Sequence, residues 1–224
     1  MKTRPILVLL FFMGAVAVIG WMYYAISHPL HDAAPETVHD GLLDLDDCCR
    51  RKTIKAAQYD HFAHLAHKEQ ALSAATLFRA LAHSERIQEA NYATIIRQMG
   101  GTYHPPMRIL LFQGSTVGNL RRSIDYERRS ADSLFEARIT HHRQDGYRRI
   151  AEALIRAAII DFRHRQLLEA QLSAPSGNPS TYAVCPTCGN IYTMTACDPY
   201  CPHCQTEQRQ FVVVALDDVQ KNAD

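Results

Sequence analysis

The sequence predicts a mainly α-helical fold: a four-helix bundle, with an apolar membrane-spanning helix before it and a small β-rich metal domain after it. Three observations carry this. The central stretch repeats apolar residues at intervals of three and four. The N-terminal region holds one long run without a charge. The C-terminal region holds two Cys-x-x-Cys pairs. A chain of 224 residues with 47% hydrophobic content suffices for one ordinary core and a small appendage. A net charge of +1 gives no footprint for nucleic acid. Seven cysteines, most of them clustered, read as metal binding and not as a disulfide framework.

Ile6 to Ile26 carries no charged residue. At about 1.5 Å per residue such a helix spans a hydrocarbon layer of roughly 30 Å. Lys2 and Arg4 precede it, and no Lys or Arg follows before Arg50. This bias places the N-terminus inside and the body on the extracytoplasmic or periplasmic side. Ala15-Val16-Ala17 resembles a signal-peptidase site, but the apolar run continues beyond it, which favours an uncleaved anchor over 1–27. Residues 28–49 bear Pro, Asp and His with weak periodicity and read as a linker. Cys48 and Cys49, adjacent at its end, are capped, bridged to another chain, or free.

The bundle is read over 50–175, as helices at roughly 50–69, 71–99, 116–144 and 147–172. Tyr59, Phe62, Ala63 and Ala66 mark the core stripe of the first, and Leu77, Phe78, Leu81, Ile87 and Ile95 that of the second. Gly100-Gly101 is a stop for the second. One longer connection between the second and third helices predicts a ferritin-like arrangement. Such bundles hold two metal ions on a Glu from each of two helices and a Glu-x-x-His from each of the others. Here "DFRH" (Asp161 to His164) is a shortened version, "SERIQ" offers Glu85 with Gln88 where His is wanted, and "DYERRS" offers Glu127. His61, His64 and His67 read as a solvated face, and His141-His142 as surface.

Cys185-Pro-Thr-Cys188-Gly and Cys201-Pro-His-Cys204 each read as a metal knuckle, within a domain over 180–214 that precedes a tail at 215–224. Four thiolates suit tetrahedral zinc or iron, and spacing alone does not separate the two. Tyr182 to Val184 and Phe211 to Val214 read as short strands. Cys197 reads as a spare thiol.

The stretches "YDHFAHLAHKE", "LFRALAHSERIQEANY", "MGG", "GSTVGNL" and "YAVCPTCG…CPHC" together resemble the rubrerythrin family, in the right order over about residues 50–212. The resemblance implies a di-iron bundle joined to a rubredoxin-like iron centre, and electron transfer from that iron to the bundle for peroxide reduction. It also implies a head-to-tail homodimer in which one subunit's four-cysteine site approaches the other's bundle. Carried over position by position, Glu85, Glu127, Asp161 and His164 match family ligands. Lys52, Gln88 and Ser130 replace three others. With only three carboxylates left and a lysine among them, an ion network of Lys52, Glu85, Glu127 and Asp161 is expected in place of the di-iron centre. The competing expectation is a single iron or zinc held by Glu85, Glu127, Asp161 and His164. Iron in the four-cysteine site, with zinc as the alternative, completes the expectation. The rival function is a non-catalytic scaffold with a metal-free bundle and a structural zinc.

Overall fold

The computed structural model describes residues 35–130, 133–144, 147–175, 181–194 and 197–215. Five helices come first: α1 (Pro35–Lys68), α2 (Leu72–Gln98), α3 (Thr116–Ser130), α4 (Ser133–Gln144) and α5 (Arg148–Ser173). The stretch read as one helix over 116–144 is thus described as α3 and α4. Three strands follow: β1 (Thr181–Val184), β2 (Ile191–Thr193) and β3 (Val212–Ala215). Among the described residues no helix is long and apolar enough to cross a membrane. The run from Ile6 to Ile26 lies outside them.

The linker expected over 28–49 is corrected for its second half, because α1 begins at Pro35 and runs for 34 residues. Proline is tolerated in a first helical turn, where its missing N–H has no partner to lose. Leu45, Cys48 and Cys49 form a buried stripe on this half, with Leu42 packed beside them. Both cysteines are free thiols, and Cys49 donates to the Glu89 carbonyl at 3.3 Å. Gly41 lets α1 approach α5 closely, since a Cβ there would lie 2.9 Å from Ile150 Cδ1. Arg138 on α4 reaches Asp44 and Asp47 at 3.4 and 3.0 Å. His142, expected at the surface, is buried with Nε2 3.0 Å from Asp44 Oδ2.

Helix α2 stops where expected. Gly100 takes φ +83°, and the Gly101 N–H closes on the Ile96 carbonyl at 2.9 Å. The core has two parts. One joins Phe62 and Ala66 of α1, Phe78 and Leu81 of α2, Leu120 and Ile124 of α3, and Leu168 of α5. The other joins Leu45 and Cys49 of α1, Tyr92 and Ile96 of α2, and Ile150 and Leu154 of α5, with Ile139 of α4 against it. The residue order fixes the directions: α1 and α5 run one way, α2 and the α3–α4 pair the other. The stretch from Met99 to Ser115 is therefore a long crossover between two helical hairpins, the ferritin-like topology. Gln58 holds this crossover by bonding both the N–H and the carbonyl of Phe112, at 2.8 and 3.2 Å.

The strands form an antiparallel sheet in the order β2-β1-β3, with Val184 opposite both Ile191 and Val212. Side chains alternate across a strand. Tyr182 and Val184 join the first core beside Phe78, while Ala183 faces Cys185, Cys188 and Cys201 on the other side. The C-terminal lobe therefore shares a core with its own bundle.

Candidate metal centres

Two groups of side chains gather ligand-type atoms within 4.8 Å of one another. One is Cys185, Cys188, Cys201 and Cys204; the other is Glu85, Glu127, Asp161 and His164.

In the first group Sγ of Cys185 and Cys204 are 3.4 Å apart, and those of Cys188 and Cys201 are 3.6 Å apart. A tetrahedral ion with metal–sulfur bonds near 2.3 Å sets the sulfurs about 3.8 Å apart, so this cage fits one ion of zinc or iron size. The two turns also present polar hydrogens to the sulfurs. Hydrogen bonding from the Cys188 thiol draws Cys185 down to about 4 against the cost of burial, and the backbone N–H groups of Cys188 and Thr187 reinforce it. Cys188, the donor of that bond, is pushed up. Tyr192 accepts from Asn190 Nδ2 at 2.8 Å, which leaves its own hydroxyl to donate to Cys201 Sγ at 3.2 Å. Ile160, Tyr192 and Phe211 cover the cage. Cys197 is free and half-buried.

The second group lies between the two parts of the core. All four of its members are buried. Two lysines of α1 enter it. Lys52 Nζ stands 2.6 Å from Asp161 Oδ1 and 3.1 Å from Glu85 Oε2. Lys55 Nζ stands 2.6 Å from Glu85, 2.7 Å from Glu127 and 3.2 Å from Asp161. The expected network is present, but its centre is Lys55, which the positional matching did not single out. The signal was available: Lys52 and Lys55 are three apart, hence on one helix face. Tyr59, a turn further on, donates to Glu127 Oε1 at 2.5 Å.

Donor counting fixes the state of His164. Ser84 Oγ donates to the Gly189 carbonyl, which can only accept. Ser84 therefore accepts from His164 Nε2, 2.9 Å away. Nδ1 faces carboxylate oxygens of Glu85 at 3.2 Å and Glu127 at 3.6 Å. Both ring nitrogens donate, so the ring is an imidazolium. Three carboxylates meet two ammonium groups and one imidazolium, and the cluster is neutral.

The proton affinities follow. Burial alone lowers Lys55, but Asp161, Glu127 and Glu85 overcome it and hold the ammonium well above its ordinary value. Burial alone raises Glu85, but Lys52 and Lys55 bring it below the usual carboxylate range. Glu127 is lowered too, against its burial, by Lys55 and then His164. His164 rises despite burial, through its bonds to Glu127 and Glu85.

This donor set does not fit a pair of metal ions. The places where cations would touch several carboxylates hold ammonium nitrogens. Gln88, at a position where the family carries His, is buried with Nε2 3.4 Å from Ser84 Oγ, and its Oε1 has no partner. Ser130 is the last residue of α3.

The cluster gives the protein a defined pH profile. Lowered carboxylates stabilise the fold fully above their unfolded value of about 4.3, and that contribution is lost as pH falls through their folded values. The raised His164 stabilises fully below its unfolded value of about 6.5, and that contribution is lost as pH rises through its folded value. Urea unfolding between these limits is expected to show a maximum, with a decline above pH about 6.5 that the His164→Gln variant lacks.

The two centres are joined within one chain. Gly189 follows Cys188 directly and lies against α2: a Cβ there would stand 2.9 Å from the Ser84 carbonyl oxygen, and its φ is +86°. Asn91 Nδ2 donates to the Thr187 carbonyl at 2.9 Å, and Arg163 Nε to the Ile191 carbonyl at 3.2 Å. The first knuckle rests on the bundle of its own chain.

No protein-family model matches the chain, and no curated protein matches it. Three solved structures of nigerythrin, a rubrerythrin-family protein, are similar to it. The fully reduced, all-ferrous form superposes with a TM-score of 0.72, and the mixed-valence and partially reduced forms with 0.71 each. In each case identity is 22%, and the match covers 77% of this chain and 86% of the other. The shared fold, a helical bundle followed by a small antiparallel metal lobe, is the one the sequence resemblance implied.

Proposed function

We propose that the protein is a membrane-tethered, rubrerythrin-like electron carrier with one redox iron, held by Cys185, Cys188, Cys201 and Cys204, and a metal-free bundle. One observation carries this reading: Lys52 and Lys55 place ammonium nitrogens within 3.2 Å of all three carboxylates of the bundle site, while the four sulfurs stand at ion-binding distances. Iron bound by four thiolates supplies one-electron ferric/ferrous chemistry. The chain's own residues tune it. Tyr192 and the knuckle N–H groups donate to sulfur and favour the more negative, reduced form, while Ile160 and Phe211 limit water. The all-ferrous state named for nigerythrin supports iron over zinc. The proposal does not extend to peroxide reduction at the bundle, because lysines hold the cation positions there. The uncharged run from Ile6 to Ile26 supports the tether, and the Lys/Arg bias supports an extracytoplasmic body.

The second reading is a structural zinc on a non-catalytic scaffold, favoured by strands of only three and four residues that need a staple. Colour separates the two. The purified full chain is expected to be red when oxidised, to bleach on reduction and to recover on reoxidation. A colourless protein holding zinc contradicts the electron-carrier reading and leaves the scaffold.

A further inference from the structure

Two peptide units of the first knuckle each bond a cysteine sulfur on one side and a side chain of α2 on the other. The peptide between Gly189 and Asn190 gives its N–H to Cys188 Sγ, and its carbonyl accepts from Ser84 Oγ. The peptide between Thr187 and Cys188 gives its N–H to Cys185 Sγ, and its carbonyl accepts from Asn91 Nδ2 at 2.9 Å. Ser84 and Asn91 are two helical turns apart, which places both on one face of α2. The fit is close, since a Cβ at Gly189 would stand only 3.1 Å from Ser84 Oγ.

The Ser84 link continues into the bundle. Its oxygen accepts from His164 Nε2 at 2.9 Å and from Gln88 Nε2 at 3.4 Å. His164 is the imidazolium held by Glu85 and Glu127. An unbroken chain of donors thus runs from a cation in the bundle, through the Ser84 hydroxyl and one peptide, to a sulfur of the cage. Ser84 and His164 are both fully buried, so water does not interrupt it. Hydrogen bonds aligned head to tail polarise one another, and each is strengthened by about 10–30%. The Asn91 link is shorter and starts from a neutral amide at the surface.

We infer that Ser84 and Asn91 are positioning residues that set the reduction potential of iron at the four cysteines, and that Ser84 carries the pull of the buried imidazolium to Cys188. This rests on the electron-carrier reading above. Gain of one electron makes the iron–thiolate group more negative by one charge. A stronger N–H donor at sulfur favours that state, so both links raise the potential. No proton has to leave His164, because the effect is one of polarisation.

Spectroelectrochemical titration of the detergent-solubilised full chain tests this, with iron reconstituted at the cysteines whichever ion the chain holds on purification. The ion found on purification judges the electron-carrier reading, and the potentials judge the two links. Ser84→Ala is expected to move the ferric/ferrous equilibrium about threefold toward ferric, a fall of roughly 30 mV for one electron. Asn91→Ala is expected to move it the same way by less. His164→Gln is expected to lower the potential of the otherwise unchanged chain, and to lower that of Ser84→Ala less far, because the hydroxyl carries its pull. An unmoved or raised potential in Ser84→Ala overturns the proposal. So does a His164→Gln shift equal in both backgrounds, which would mean that the charge acts through space alone. Asn91 and Thr187 are exposed, so the fold tolerates Asn91→Ala. If Ser84→Ala does not fold, a fall in the Asn91 variant supports the links and an unmoved potential overturns them.

Discussion

Lys55→Met is expected to destabilise the protein by about 3–5 kcal/mol, the cost of breaking a buried ion cluster from one side. Lys55 is 4% exposed and touches all three carboxylates, two of them within 2.7 Å. A methionine fills the same channel, so the loss is electrostatic and not a cavity. The remaining groups would be three carboxylates against Lys52 and the imidazolium, one negative charge in excess with no water to solvate it. Urea unfolding near pH 6, where the cluster contributes most, measures the change. Full restoration is expected when Glu127, the partner only Lys55 among the lysines reaches, is made Gln in the same chain. A loss below 1 kcal/mol for Lys55→Met would mean that the ammonium does not carry the charge of this site.

Removing metal from the four-cysteine cage is expected to unfold Thr181–Ala215 and loosen the face of α2 beneath it. Four sulfurs gathered within 4.8 Å repel one another once they are thiolates, unless a cation stands between them. Strands of four, three and four residues do not stand without help. In small metal domains the ion supplies roughly 10–16 kcal/mol of folding free energy. The effect reaches the bundle because Tyr182, Val184, Ile191 and Val214 complete the core around Leu77, Phe78 and Leu81. Hydrogen exchange read by mass spectrometry after chelation should show lost protection across the strands and reduced protection in the middle of α2. The packing of Leu45, Cys49 and Leu154 at the other end should persist. Unchanged protection in the strands after the ion has gone would show that the sheet holds itself.

What the sequence revealed depended on how local each signal was. The four cysteines are local: each pair sits in one turn, and the cage could be read without knowing the fold. The helical stripes were equally legible, as was the stop at Gly100. The site in the bundle was half legible. Lys52 was found because it occupies a position where a family ligand is expected, whereas Lys55 occupies no such position and was passed over. Its spacing from Lys52 places it on the same face, but metal-ligand patterns consist of carboxylates and imidazoles, and a lysine that stands in for the cation leaves no mark in them. The start of α1 was hidden by composition, since five aspartates between Asp32 and Asp47 obscure the stripe of Leu42, Leu45 and Cys49. Once that stretch is a helix, Asp44 stands beside α4, and His142 becomes a buried partner instead of a surface residue. Ser84 was illegible for a different reason. Its role is to join His164 to Gly189, and those residues meet only through tertiary packing.

Metal content per chain tests the central claim most directly: lysines have taken the place of metal in the bundle, and one ion remains at the cysteines. The full chain, purified after growth with ample iron and freed of loosely held ions, is to be analysed for iron and zinc by mass spectrometry. One metal ion per chain is the predicted result. Two or three ions per chain would contradict the account, because the additional ions could enter the bundle only by displacing Lys52 and Lys55.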